Sequence, residues 1–95
     1  MKALLVSHNG QRVCLAGIES TGVATVCANI HLLTQADLED LWLSVAGQDN
    51  ATNERLKWAH LPLAEGDEIT IRIIETPHCD SPNQRRSFIP EETAE

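Results

Sequence analysis

Residues 68–75, Glu-Ile-Thr-Ile-Arg-Ile-Ile-Glu, carry the feature that most restricts the fold, a run of β-branched side chains with a period of two. Ile69, Ile71 and Ile73 fall on one face of an extended chain, which is typical of a strand buried on one side. Gly66 and Asp67 precede it and indicate a tight turn. The pattern predicts a strand in the centre of a sheet.

Two more strands are predicted near the start of the chain. Residues 2–8 and 12–16 are rich in β-forming side chains, and the Asn9-Gly10 pair between them is typical of a two-residue hairpin turn. Gly17 ends the second strand. The first 17 residues therefore predict a β-hairpin.

The middle of the chain leaves alternatives open. Residues 23–32 alternate in polarity, which favours a strand, although their Ala and Leu content also suits a helix. The apolar side of that alternation is formed by Val26, Ala28, Ile30 and Leu32.

The next residues combine a helix-start signal with a second strand pattern. Thr34 followed by Asp37 resembles a helix N-cap, so a short helix through about residue 41 is predicted. Residues 41–45 equally suit a strand, with Trp42 on the face opposite the apolar side chains and Gly47 ending it.

The remaining segments define the domain. Residues 48–54 are polar and predict an exposed loop, and residues 55–60 predict a short strand. Beyond residue 76 the chain holds few side chains to bury, so residues 1–76 are expected to form one β-rich domain and residues 77–95 a flexible acidic tail. The predicted fold is a small antiparallel β-sandwich or open barrel of five or six strands, with room for one short helix. A β-grasp-like α+β arrangement is the alternative.

Charge and composition exclude several functions. The 95 residues carry 14 acidic and 7 basic side chains, a formal charge of −7, which would repel a nucleic-acid backbone. The only aromatic residues are Trp42, Trp58 and Phe88, too few for a base-stacking surface. No signal peptide or membrane-spanning apolar run is visible, so a cytoplasmic protein is expected, without membrane or direct nucleic-acid binding.

No catalytic or metal-binding pattern stands out. Cys14 and Cys27 could face each other on neighbouring strands beside a histidine, but buried thiols that act as small apolar side chains are commoner. Residues 78–80, His-Cys-Asp, together with His60 lack the spacing of a zinc site. We therefore expect no catalytic residue, no metal and no cofactor.

A series of short motifs resembles a group of short uncharacterised bacterial β-rich proteins. The motifs are Asn9-Gly10, Cys14, Ala16-Gly17, Gly22-Val23, Leu41 to Val45, Gly47, Asp49, Leu56-Lys57-Trp58, Leu63 and Gly66 to Ile71. The similarity covers residues 2–76 and implies a compact stand-alone bacterial β domain. It assigns no catalytic or binding residue.

The function expected from these features is that of a non-enzymatic protein-binding module with a basic partner. The predicted contact residues are Trp42, Asp49, Asn50, Glu54 and Trp58. An anchoring role in the core is the other interpretation of Trp58. The alternative function is a small acidic inhibitor, of the toxin-immunity or phage anti-defence type, that masks a basic site on its target. A homodimer formed by pairing of edge strands is compatible with either function.

Overall fold

The computed structural model describes residues 1–87, which form seven strands and no helix. The strands are β1 (Lys2–His8), β2 (Gln11–Ala16), β3 (Ala24–Gln35), β4 (Leu38–Asp49), β5 (Glu54–Pro62), β6 (Ile69–Glu75) and β7 (Gln84–Ser87). Sheet A has the order β2-β1-β6, and sheet B the order β3-β4-β5-β7, with every neighbouring pair antiparallel. The sheets pack face to face, so the predicted antiparallel β-sandwich is confirmed; the barrel alternative is not formed, and seven strands replace the expected five or six.

The first hairpin forms as predicted. Asn9 and Gly10 both have positive φ, 52° and 82°, and His8 pairs with Gln11 across the turn. Positive φ at both central residues matches the twist of the flanking strands, and this is why Asn-Gly is favoured there.

The helix predicted after Thr34 is wrong. β3 continues to Gln35, turns at Ala36 with a φ of 45°, and returns as β4 from Leu38. A helix of one or two turns would leave most of its backbone groups without helical partners. The hairpin instead pairs every residue from 24 to 35 with β4, and β4 runs through Gly47 to Asp49.

The core lies between the inner faces of the two sheets. Val6 of sheet A and Leu43 and Val45 of sheet B are fully buried. Ala28 pairs with Val45, and Ile30 with Leu43, so the apolar sides of β3 and β4 face the same way, as their alternation predicts. β4 lies inside sheet B and supplies two of the three largest fully buried side chains, Leu43 and Val45.

The strand predicted to be central, β6, lies at an edge of sheet A, and β1 takes the centre. Ile69 packs against the core, whereas Ile71 is 44% exposed and Ile73 is 73% exposed. The alternation identified the inward face correctly, but the other sheet does not cover all of it.

The packed domain extends beyond residue 76. β7 pairs with β5, and the carbonyl of Asp80 accepts a hydrogen bond from Trp58 Nε1 at 2.9 Å. The backbone of Asp80 also donates to the Leu15 carbonyl, and its carboxylate accepts from the Leu15 amide. Residues 77–87 of the predicted tail are therefore part of the fold, and residues 88–95 lie outside the described residues. Within residues 1–87, no helix could cross a membrane.

Candidate functional site

The outer surface of sheet B, called here the B face, carries polar and basic side chains in ordered rows. The strand register sets the rows, because residues paired across antiparallel strands project from the same face. From one end, the rows are Thr25, Gln48, Arg55, Arg86; Cys27, Ala46, Lys57, Gln84; Asn29, Ser44, His60; and His31, Trp42, Pro62.

The first two rows form a depression of about 600 Å³. Its lining includes Thr25, Cys27, Gln48, Lys57, Gln84 and Arg86. Its volume falls within the range of ordinary ligand-binding clefts, roughly 300–1,000 Å³. The depression exists because β7, formed by the segment predicted to be a tail, extends sheet B beyond β5.

The depression is positively charged although the whole chain is acidic. Four of the seven basic residues of the sequence lie on β5 and β7, namely Arg55, Lys57, Arg85 and Arg86. Arg85 Nη1 pairs with Glu54 Oε1 at 2.8 Å. Within residues 1–87, no carboxylate forms an ion pair with Lys57 or Arg86. Lys57 and Arg86 are therefore available to an anionic group.

An aromatic cluster lies at the other end of the B face. The Trp42 ring stacks on His31, with ring centroids 4.7 Å apart and an interplanar angle of 5°. The His60 ring meets Trp42 edge-on, with centroids 6.4 Å apart. Trp42 remains partly exposed, so this stack holds its indole in a fixed position on the surface.

The structure separates the predicted contact residues. Trp42 lies on the B face, and Asn50 lies at the rim of the depression, where its Oδ1 accepts from Gln48 Nε2 at 2.9 Å. Glu54 is half-buried and bound to Arg85. For Trp42, Asn50 and Glu54, the role in partner binding stays a prediction.

Asp49 and Trp58 have structural roles, so their inclusion in a contact surface has to be corrected. Asp49 is 7% exposed, and its Oδ1 accepts from Ser20 Oγ and from the Ala51 amide, which closes the end of β4. Trp58 is 4% exposed and lies in the core beside Gly47. Trp58 is the core anchor that was the other interpretation, because its indole N–H binds the Asp80 carbonyl.

Sequence reasoning missed His31, His60, Lys57 and Arg86 as members of one surface. The polar side of the β3 alternation was a usable signal for His31. No comparable signal existed for Arg86, because β7, Gln-Arg-Arg-Ser, has no apolar side chain to mark it as a strand.

The cysteines do not form the pair considered above. Cys14 is buried in the core, where burial, reinforced by the Asp80 carboxylate, raises the pKa of its thiol to about 11. Cys27 is exposed on the B face, the outer surface of sheet B. The arrangement in which the two thiols face each other is therefore not formed, and of the two cysteines only Cys14 is the buried apolar thiol that was expected. Among the described residues, no three His, Cys, Asp or Glu side chains lie together as metal ligands.

No family model, curated protein or solved structure matches the chain. The function has to be argued from the B face.

Proposed function

We propose that the chain is a non-enzymatic protein-binding module whose contact surface is the B face and whose partner presents an extended acidic segment. The observation that carries the proposal is the pair Lys57 and Arg86, which line one depression without a carboxylate partner among residues 1–87. This partner is opposite in charge to the one expected from the net charge. A cytoplasmic location is part of the same proposal.

The geometry suits an extended segment better than a folded surface. Successive rows on the B face lie two residues apart along β3 and β4. That separation, about 6.6 Å, is also the spacing of alternate residues in an extended chain, so carboxylates on alternate residues could meet cations in successive rows. Hydrogen bonds between Arg or Lys and a carboxylate are among the stronger polar contacts. Trp42 would supply the aromatic contact that commonly dominates binding energy.

A direct test uses a synthetic peptide of alternating Glu and Val, titrated against the full chain at low and moderate salt. Trp42 fluorescence reports binding, because the other tryptophan, Trp58, is buried. The double variant Lys57→Glu/Arg86→Glu should weaken binding at least tenfold. The control Lys2→Glu/Arg72→Glu makes the same change in net charge on sheet A and should alter it less than threefold.

Two results would count against the proposal. One is an equal loss in the test and control variants, which would indicate only a general charge effect. The other is equal binding of a matched peptide with Lys in place of Glu.

The acidic-inhibitor alternative is supported by a different surface. Asp37, Glu39 and Asp40 are all exposed around the turn between β3 and β4. If this surface masks a basic target, replacing these three side chains by Asn and Gln should weaken the binding of a basic peptide more than the binding of an acidic peptide. The B-face variants should then have no such effect, so the two functions are distinguishable.

A further inference from the structure

β3 is an edge strand with none of the usual protection against pairing. Among residues 1–87, no strand pairs with its outer edge. Its 12 residues contain no Asp, Glu, Lys, Arg, Pro or Gly, and its register with β4 has no bulge. Natural edge strands are normally shortened, charged, bulged or covered, because a long bare edge binds another strand.

The other three edges of the sandwich are protected. The outer edge of β2 is covered by Asp80, which forms backbone and carboxylate hydrogen bonds with Leu15. The Asp80 carboxylate also forms an ion pair with Arg12 of β2. β7 is four residues long and carries two arginines. β6 contains Arg72 and ends at Glu75. β3 is therefore the exception in this fold.

Exposed apolar side chains lie on the inner faces of the two sheets, along the side of the sandwich where the edge strands β3 and β6 lie. Ile30 is 56% exposed and Leu32 62% exposed on β3, and Ile71 and Ile73 are exposed on β6. Their paired neighbours include the fully buried Leu43 and Val6, so these side chains belong to the inner faces of the sheets.

Between the sheets on this side is a cleft of about 280 Å³. Leu4 and Ile73 line it from sheet A, and Ala24 and Val26 from the start of β3. The cleft is therefore next to the unprotected edge. A strand added to β3 would place its inward side chains beside Val26, close to Ile73.

We propose that the chain forms a homodimer in which β3 pairs antiparallel with β3 of a second copy, with the two-fold axis at Asn29. Antiparallel pairing about a two-fold axis perpendicular to the sheet keeps both inner faces on one side. With the axis at Asn29, Val26 lies opposite Leu32 of the other copy, and Ala28 opposite its Ile30. Small and large inward side chains then alternate across the interface.

A second copy fits this surface better than a charged partner. β3 is 12 residues long and carries no formal charge at neutral pH, so two chains of charge −7 meet along the strand where they repel least. The strand is about 40 Å long at roughly 3.3 Å per residue. A second copy paired with β3 would lie beside the exposed Ile30 and Leu32 and near Ile71 and Ile73, so the interface would include apolar side chains in addition to the strand edge.

The dimer goes beyond the proposed function, because it uses the edge of sheet B and not the basic depression. It would join two B faces into one eight-stranded surface. The Lys57→Glu/Arg86→Glu variant leaves β3 unchanged, so dimer formation and peptide binding can fail separately.

Oligomeric state tests the proposal. Light scattering after size exclusion, from 1 to 500 μM as a starting range, should show the full chain becoming dimeric. Asn29→Lys puts two like charges opposite each other at the axis and should raise the dimer dissociation constant at least tenfold. The matched control Thr70→Lys adds the same exposed charge on edge strand β6 and should leave the dimer unchanged. A wild-type chain that is monomeric throughout, or a dimer that Asn29→Lys leaves intact, would overturn the proposal.

Cross-linking tests the position of the axis. In a Cys27→Ser background, Asn29→Cys should form an intermolecular disulfide on mild oxidation, because directly opposed Cα atoms lie about 4.5–5.5 Å apart. Ser44→Cys in the same background lies one strand inward and should not. Equal cross-linking of the two variants, or none at Asn29→Cys, would overturn the axis at Asn29.

Discussion

Deleting residues 77–95 would remove the C-terminal segment that completes both sheets. In the intact chain, Asp80 accepts hydrogen bonds from Trp58 Nε1 and from the Leu15 amide, each at 2.9 Å. Asn83 donates to the carbonyls of Trp58 and Lys57. The deletion therefore breaks contacts to β2 and β5 together.

The cost follows from the hydrogen bonds that are lost. Five hydrogen bonds join Asp80 and Asn83 to Leu15, Trp58 and Lys57, and a protein hydrogen bond contributes about 0.5–1.5 kcal/mol to stability. With the β5–β7 ladder also lost, the deletion should cost about 3–6 kcal/mol. A domain of this size has a free energy of unfolding of roughly 5–14 kcal/mol. The deletion should remove about half of it.

Urea unfolding of residues 1–76 and of the full chain, followed by tryptophan fluorescence and circular dichroism, measures this loss. Trp58→Phe in the full chain is the control for the indole hydrogen bond and should cost about 1–3 kcal/mol. If residues 1–76 unfold cooperatively within about 1 kcal/mol of the full chain, the C-terminal segment would contribute little to the fold, contrary to this reasoning.

Two further predictions concern the core and acid stability. Leu43→Ala should lower the free energy of unfolding by about 2–5 kcal/mol because Leu43 is fully buried. Leu38 is 54% exposed on the same strand, so the control Leu38→Ala should cost under about 1 kcal/mol. Equal urea midpoints for the two variants would contradict the assigned core. The Asn9 amide, and then the Ala64 N–H, lower the pKa of Asp67 from 3.8 to about 2. Because the folded-state pKa is the lower one, this contribution is present above about pH 4 and is lost as the pH falls towards 2. Asp67→Asn should therefore flatten the decline of the urea midpoint between pH 4 and pH 2, and an unchanged slope would show that this carboxylate is not responsible.

Local patterns predicted most of the strands because their cause is local. Asn9-Gly10 forms its turn through its own φ angles, and the alternation along β3 correctly identified the apolar side. The helix after Thr34 failed because a cap signal of four residues competed with a strand pairing that extends over the whole hairpin. Propensity is weak where tertiary pairing decides.

The candidate site was harder to predict than the fold. Trp42 was placed on the outer face correctly, since the face follows from alternation. Trp58 was included in the predicted contact surface, although it is buried. The error arose because the hydrogen-bond acceptor of its indole N–H is the carbonyl of Asp80, 22 residues away in the sequence. A partner that distant leaves no local pattern.

The sequence by itself determined a single β-rich domain, its first hairpin and the inward face of each long strand, because these depend on period-two alternation and on turn residues; it left a sandwich, an open barrel and a β-grasp-like arrangement open. Only the tertiary structure decided which strands lie at the edges, that residues 77–87 complete the fold, and that Lys57 and Arg86 share a depression. The physical reason is that strand order and long-range hydrogen bonds depend on which segments meet in space. Chain neighbours do not encode that choice.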